Sequence, residues 1–447
     1  MRKGYVAAFL FAFYFPMVGK LVPVIKDLPF HFAYYGIAFL LMMIAMRIAS
    51  EGKVNRLPSH ARLLFVFSIY FVINLVAKGL LENQLQLLMS KAIGVLFGVT
   101  VILFLIQLKV YSSIEEWSRV LVPALGVFLC GQVVVSSIES IRGELFSDYE
   151  IKVFMQGLRA FMPLQLIEGR DILNVLGLSQ YDLFGFKIPF AGLIGQHNAF
   201  GSMLVFYNLY FLADLLSSRR KVDYFFLGLT LFAALANTTR IAIIAIVISD
   251  TIALLFFVKN RTARNAIVLL TLLVLGLFGA DAYMRVSQVF ERTNTIVSRI
   301  DLWQYLLNRY VILTTAVPLL VGLNVKDLLQ VGMDYIGRTL GSYENQFFAV
   351  FLLSGAVGLL LYIFTFFVYP IKLAARYGDH RKIIAYLVAA NVLLVSMTLD
   401  TVLHYATYVL VAMLYVQYLR PLDQRSTRDS TGLYGSEIIV ENNRESL

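Results

Sequence analysis

The segment from Met284 to Ile363 organises the rest of the chain. It begins MRVSQVFERTNTIVSRIDLWQYLLNRYVILTTAVPLLVGLNVKD (residues 284–327) and, after a short apolar link, continues as DYIGRTLGSYENQFFAVFLLSGAVGLLLYI (residues 334–363). Charge gathers here although 59% of the whole chain is hydrophobic. The charged residues of this segment are Arg285, Arg292, Arg299, Arg309, Lys326 and Arg338, with Glu291, Asp301, Asp327, Asp334 and Glu344. A charged segment that runs straight into an apolar helix is the first place to look for chemistry.

Three of these arginines, Arg285, Arg292 and Arg299, follow one another at steps of seven residues. On a helix, a seven-residue step drifts only about 20° around the axis, so the three guanidinium groups would share one face. Guanidinium binds phosphate through two parallel hydrogen bonds, and such a face therefore suits an anionic ligand. The alternative is a solvated helix face beside lipid headgroups, which the spacing allows equally.

The composition predicts an all-α, polytopic integral membrane protein. The 447 residues have a mean hydropathy of +0.75, and the apolar runs are too long and too unalternating for barrel strands. The net charge of +10 is spread over short loops, so we predict no nucleic-acid partner. Cys130 is the single cysteine, which rules out an intrachain disulfide.

About twelve spans can be placed on hydropathy and length. They cover residues 5–24, 30–48, 63–82, 88–108, 120–140, 197–217, 224–239, 241–258, 265–284, 347–371, 382–400 and 401–419. These spans predict one transmembrane domain over residues 1–419, with long connections at about 141–196 and 285–346. The polar residues 420–447 are predicted to be a disordered cytoplasmic tail.

The orientation follows from the distribution of lysine and arginine between alternate connections. One set is rich in both, for example Arg219, Arg220 and Lys221. The other set carries less, for example Lys78 with Lys91. The bias predicts that both termini are cytoplasmic and that the two long connections are periplasmic.

Arg240 and Glu344 are the strongest candidates for chemistry outside the arginine repeat. Arg240 lies in NTTRIAIIA at a membrane edge where the loop bias disfavours a cation, and such an arginine either has a functional partner or reaches to headgroups. Glu344 precedes Asn345 at the start of an apolar helix. It is either an acid favoured by the helix dipole or a general base at the membrane edge.

Four further residues are candidates for binding a sugar or an anion. His197 and Asn198 open a span in GLIGQHNAFGSM, where they either cap the helix or bind sugar hydroxyls. Arg159 and Arg170 lie in the first long connection, where local ion pairing explains them as well as ligand binding does. The sequence has no P-loop, HExxH, CxxC or GxSxG motif, and we predict no metal and no cofactor.

Together, these motifs resemble the O-antigen ligase and polymerase superfamily. The similar stretches are HNAFG, NTTRIAIIAI, SRIDLWQYLL, PLLVGLN and ENQFFAVFLLSGAVGLL, which fall mainly within residues 190–370. The resemblance implies a metal-independent, inverting glycosyltransferase of a bacterial inner membrane, with its active site facing the periplasm. Its implied partners are membrane lipid, undecaprenyl-diphosphate-linked oligosaccharides and a chain-length-regulating membrane co-polymerase.

Carried onto this chain, the resemblance assigns Arg240 and Arg299 to binding of the diphosphate and Glu344 to the role of general base. Seven further residues are assigned to substrate binding, namely Arg292, Arg285, His197, Asn198, Asn345, Arg170 and Arg159. Glu344 stands where ligases typically have a histidine, which favours a Wzy-type polysaccharide polymerase over a ligase. The alternative of another class is a transporter of lipid-linked sugars. Such proteins usually show two related halves and broken helices, whereas the sequence shows no repeat and gathers its charge in outer loops.

Overall fold

The computed structural model describes residues 2–18, 32–108, 114–142, 197–237, 239–258, 260–273, 276, 304, 308, 316–328, 345–399 and 401–419. In this part of the chain the regular structure is helical. The helices are α1 (Arg2–Val18), α2 (Phe32–Glu51), α3 (Ser59–Leu81), α4 (Leu85–Gln107), α5 (Ile114–Arg142), α6 (His197–Ser218), α7 (Lys221–Asn237), α8 (Arg240–Phe257), α9 (Ala316–Val321), α10 (Gln346–Ile363), α11 (Tyr369–Ala374), α12 (His380–Thr398) and α13 (Tyr405–Tyr418). Residues 261–273 are also helical, and a π-helical turn (Phe364–Val368) joins α10 to α11.

The long helices form a bundle with two distinct ends. We call the end at which α6, α8, α10 and α13 begin the motif end, because the HN, NTTR and ENQ motifs lie there. The other end is called the opposite end. Helix α3 runs toward the motif end, since His60 near its start lies at Val416 and Ser68 lies at Tyr408.

Helices α6 and α13 form the centre of this bundle. Every residue of α13 is buried, and so are residues 199–216 of α6. Both helices carry polar side chains among their apolar ones, such as Asn208 and Asp214 on α6 and Gln417 on α13, and these are buried too. Polar groups are costly in lipid, so such helices are favoured inside the protein rather than at its lipid-facing surface. The two helices pack on each other, and α4 and α12 lie beside them. One hydrophobic core runs through the described helices from α1 to α13.

The outer helices turn large apolar side chains outward. Leu41 and Met46 on α2, Val127 on α5 and Leu360 on α10 are each about half exposed or more. Within the described residues, six helices are long and apolar enough to cross a membrane, and three shorter helices are apolar. The chain is therefore a membrane-embedded, all-α protein, as its composition predicted.

Each of the twelve predicted spans overlaps helical residues, but the helix over 347–371 is not continuous. Gly355 has φ +66° and ψ −168°, which interrupts α10 near its middle. Residues 316–328 of the second long connection are helical in part and pack against α3 and α10. Residues 143–196, most of 277–315 and the tail 420–447 lie outside the described part of the chain.

Candidate functional site

Four chain segments meet at the motif end, and three of them carry sequence motifs. These three are the first turn of α6, the turn between α7 and α8, and the start of α10. The fourth is the link of residues 401–404, which precedes α13. Each pair of segments described below is joined by a direct contact.

The turn between α7 and α8 lies directly on the first turn of α6. A Cβ atom at Gly201 would lie 2.7 Å from Asn237 Oδ1 and 2.8 Å from Thr239 Oγ1. Real Cβ atoms essentially never approach other atoms so closely, so glycine at position 201 leaves room for the side chains of Asn237 and Thr239. Because α8 begins at Arg240, this contact brings the start of α8 next to the start of α6.

Helix α6 also contacts the link before α13. Ser202 Oγ donates to Asn198 O at 3.1 Å, one turn earlier, and makes a hydroxyl–hydroxyl contact with Thr401 Oγ1. Asn198 itself is exposed on the first turn of α6. Its amide is therefore available at the surface where the four segments meet.

Asn345 fixes the start of α10 to the end of α12. Its Oδ1 accepts a hydrogen bond from Phe348 N at 3.0 Å, which is the usual N-cap interaction. Its Nδ2 donates to Met397 O at 3.4 Å. The side chain of Asn345 thus holds the helix start in place, and Glu344 is joined directly to this fixed residue in the chain.

The link of residues 401–404 contacts several helices at the motif end. Leu403 N donates to the buried Gln346 Oε1 at 3.4 Å, which joins the link to α10. On its other side the link lies on α4, where a Cβ at Gly94 would be 2.2 Å from Leu403 O. The link therefore contacts α4, α6 and α10, and it follows α12 in the chain.

The electrostatics of this end favour an anion. Helices α6, α8, α10 and α13 all begin here, and a helix N-terminus carries a partial positive charge with unpaired N–H groups. Only the start of α10 has a side-chain cap among those whose capping geometry the structure describes. Phosphate groups bind well where helix N-termini are combined with arginine.

The predicted site residues divide into three groups. Asn198 and Asn345 are described in full, and both lie at the motif end. The backbones of His197 and Arg240 lie there too, as the first residues of α6 and α8, but their side chains are outside the described part. The remaining predicted residues, which are Glu344, Arg299, Arg292, Arg285, Arg170 and Arg159, lie outside the described residues.

The sequence did not point to the residues that hold the site together. Gly201 and Gln346 lie within the HNAFG and ENQ motifs, and Ser202 directly follows the first of them, but their residue types gave no sign of the contacts that they make. Thr401 carries no local signal, because its role depends on a contact with a residue 199 positions away.

No family model, curated protein or solved structure matches the chain. The class that its fold defines is therefore that of membrane-embedded, all-α proteins, and its resemblance to the O-antigen superfamily rests on the motifs quoted above.

Proposed function

We propose that this protein is a polysaccharide polymerase that joins undecaprenyl-diphosphate-linked oligosaccharide repeat units. In this proposal the chain crosses a bacterial inner membrane about twelve times, with both termini in the cytoplasm. The motif end faces the periplasm, where no nucleotide sugars are available and a lipid-linked donor supplies the energy of the reaction. The growing chain is transferred from its lipid carrier to the next lipid-linked repeat unit.

One observation carries the proposal. Three motifs that lie far apart in the sequence, HN at 197–198, NTTR at 237–240 and ENQ at 344–346, have described residues in one small region at the motif end. The gathering of an exposed amide and the helix N-termini fits a site for an anionic, sugar-bearing lipid.

The chemistry assigns one task to each predicted group. Glu344, as general base, takes the proton from a hydroxyl of the acceptor sugar. The hydroxyl oxygen then forms a bond to the anomeric carbon of the donor chain, while the bond from that carbon to the diphosphate oxygen breaks with inversion. Arg240 and Arg299 stabilise the negative charge that grows on the departing diphosphate, and such electrostatic stabilisation is often the largest single catalytic contribution.

The gel profile of surface polysaccharide from a deletion strain tests this proposal. A core that carries a single repeat unit is the expected result, because ligation would continue without polymerisation. Bare core, with long lipid-linked chains on the outer leaflet, would mean instead that the chain is the ligase.

A lipid-linked sugar transporter is a second candidate that two structural observations favour. Helix α10 is interrupted at Gly355, as helices of transporters often are. Asp250, about 15 Å along α8 from Arg240, lies inside the bundle and accepts a 2.7 Å hydrogen bond from Asn208 Nδ2 on α6. Charge is therefore present within the span of α8 as well as in the outer loops. Bare core, with short repeat units trapped on the cytoplasmic leaflet of the deletion strain, would select the transporter.

The orientation has its own test, because Cys130 is the single cysteine. In a Cys130→Ser background, single cysteines replace Asn324 near the motif end and Arg261 at the opposite end, both of which are exposed. A membrane-impermeant maleimide added to spheroplasts should label the cysteine at position 324 but not the one at 261. Labelling at 261 alone would place the motif end in the cytoplasm.

A further inference from the structure

The interruption of α10 leaves backbone groups that need partners from elsewhere. In a continuous helix, the carbonyls of the three residues before Gly355 would accept hydrogen bonds from the following turn. Here each accepts a bond from outside the helix. They are Leu352, which accepts from Leu323 N at 2.8 Å, Leu353, which accepts from Lys78 Nζ at 2.8 Å, and Ser354, which accepts from Tyr70 OH at 3.1 Å. The carbonyls that the interruption frees are thus all partnered, and we call this interruption the joint of α10.

Residues 316–328 of the long connection fill this joint. A Cβ at Gly355 would lie 2.3 Å from the carbonyl atoms of Leu320, and one at Gly322 would lie 2.6 Å from Leu352 O. Both glycines also have positive φ, +66° and +89°, which other residues rarely adopt. Residues 316–328 and the joint of α10 therefore pack in direct backbone contact. This contact explains why Gly322 in PLLVGLN and Gly355 in LLSGAVG are glycines.

Helix α3 supplies the polar side chains that hold the inserted segment. Lys78 Nζ donates to Val321 O as well as to Leu353 O, and it therefore bridges the end of α9 to the first half of α10. Asn74 Nδ2 donates to the same Val321 oxygen at 3.2 Å. Four residues after Lys78, Glu82 accepts from Val325 N at 2.9 Å and from Lys326 N at 3.2 Å.

The signs of the two charges match the backbone groups that they meet. Lys78 meets carbonyls at the C-terminal ends of two helical pieces, where the helix dipole is negative. Glu82 meets amide N–H groups at the beginning of the helical residues 325–328. Hydrogen bonds with one charged partner are roughly twice as strong as those between neutral groups. A partly buried lysine that only marked membrane orientation would not need two specific carbonyl partners.

We propose that Lys78 and Glu82 are positioning residues that clamp residues 316–328 into the joint of α10. The clamp fixes the long connection at an internal point, between its arginine-rich part, residues 285–315, and the part that ends at Glu344. The inference rests on the proposed function, because its purpose is to hold the diphosphate-binding arginines and the general base at one site. A loop that is fixed at an internal point has less conformational entropy to lose when these groups come together.

The clamp itself is tested by hydrogen exchange on purified, full-length protein in detergent. Lys78→Met and Glu82→Ala should raise exchange at the amides of residues 323–326 by about tenfold or more, with the exchange of α6 and α13 unchanged. Lys372→Met, an exposed lysine on α11 at the opposite end, is the matched control and should change neither region. Unchanged exchange at residues 323–326 in Lys78→Met and Glu82→Ala would overturn the proposal.

The positioning role is tested by the polymer made by the same variants in the deletion strain, at equal membrane abundance. Lys78→Met should reduce long polymer at least about tenfold, and Lys78→Arg, which keeps a cation with several donors, should restore most of it. Normal polymer from Lys78→Met, despite faster exchange, would overturn the positioning role. If the deletion strain itself shows no loss of polymerisation, the proposed function fails, whereas the exchange result still reports on the clamp.

Discussion

The two ends of α6 differ in the size of their side chains and in the contacts that these side chains make. At the motif end, Gly201 and Ser202 are small, and the turn between α7 and α8 and the link before α13 lie directly on them. At the opposite end, Tyr210 and Asp214 are fully buried and partnered by large polar groups of α13. The first turn of α6 therefore reaches the surface of the motif end, whereas its other end is held by polar contacts inside the core.

The opposite end forms a connected polar network inside the bundle. Tyr210 OH donates to Gln417 Oε1 at 2.5 Å, and Gln417 Nε2 donates to Ser118 Oγ at 3.1 Å. Asp214 Oδ1 accepts from Tyr418 OH at 3.4 Å. Buried polar groups are costly unless they are partnered, so this network joins α5, α6 and α13 and serves stability. Function is expected to depend on the motif end, and stability on the opposite end.

The largest expected effect comes from Glu344→Gln, which should reduce polymer by about a hundredfold or more because a neutral amide cannot take a proton. The measurement is the polysaccharide ladder of the complemented deletion strain at equal protein abundance. Glu51→Gln, an acid at the opposite end, is the control and should leave the ladder unchanged. Full-length polymer from Glu344→Gln would remove this residue as the base.

The next effect should come from the arginines assigned to the diphosphate. Arg240→Lys and Arg299→Lys each keep the positive charge but lose the two-pronged hydrogen bond, and each should lower polymer about tenfold in the same assay. Arg261→Lys, an exposed arginine near the opposite end, serves as the control. Wild-type ladders from both variants would indicate that these arginines serve lipid headgroups instead.

Gly201→Ala tests whether the close contact at the motif end matters for both function and stability. The added Cβ has no room beside Asn237 and Thr239, so we expect a loss of about 1–3 kcal/mol of stability and a shorter polymer. Gly228→Ala on α7 is the matched control, because nothing lies within 4 Å of its Cβ position. Thermal unfolding in detergent and the ladder are measured together, and equal behaviour of the two variants would contradict the contact.

The smallest effect on function should come from the opposite end. Gln417→Leu removes bonds to Tyr210 and Ser118 and should cost about 1–3 kcal/mol, seen as a lower unfolding temperature. The polymer made per molecule of protein should stay close to that of the wild type. A strong loss of polymer without a change in unfolding temperature would contradict the division between the two ends.

The sequence by itself determined the class of this protein and the places of its helices. Apolar length is a local property, and a helix is the main way in which a single segment satisfies its own backbone inside a membrane. The predicted spans therefore overlap the described helices, including the pairs α7–α8 and α12–α13 that meet across short turns. The motifs also singled out Asn198, Arg240 and Asn345 as candidate site residues, and all three lie at one end of the bundle, although their roles stay predictions.

Only the tertiary structure decided how these pieces are held together. The residues 347–371 read as one continuous span, but the helix is interrupted at Gly355. The freed carbonyls there accept hydrogen bonds from Leu323 N of the long connection and from the side chains of Lys78 and Tyr70 on α3. Lys78 read as a weak orientation signal, whereas its two carbonyl partners lie 243 and 275 residues away. Contacts at such separations depend on how helices pack in three dimensions, and no local pattern of residues encodes them.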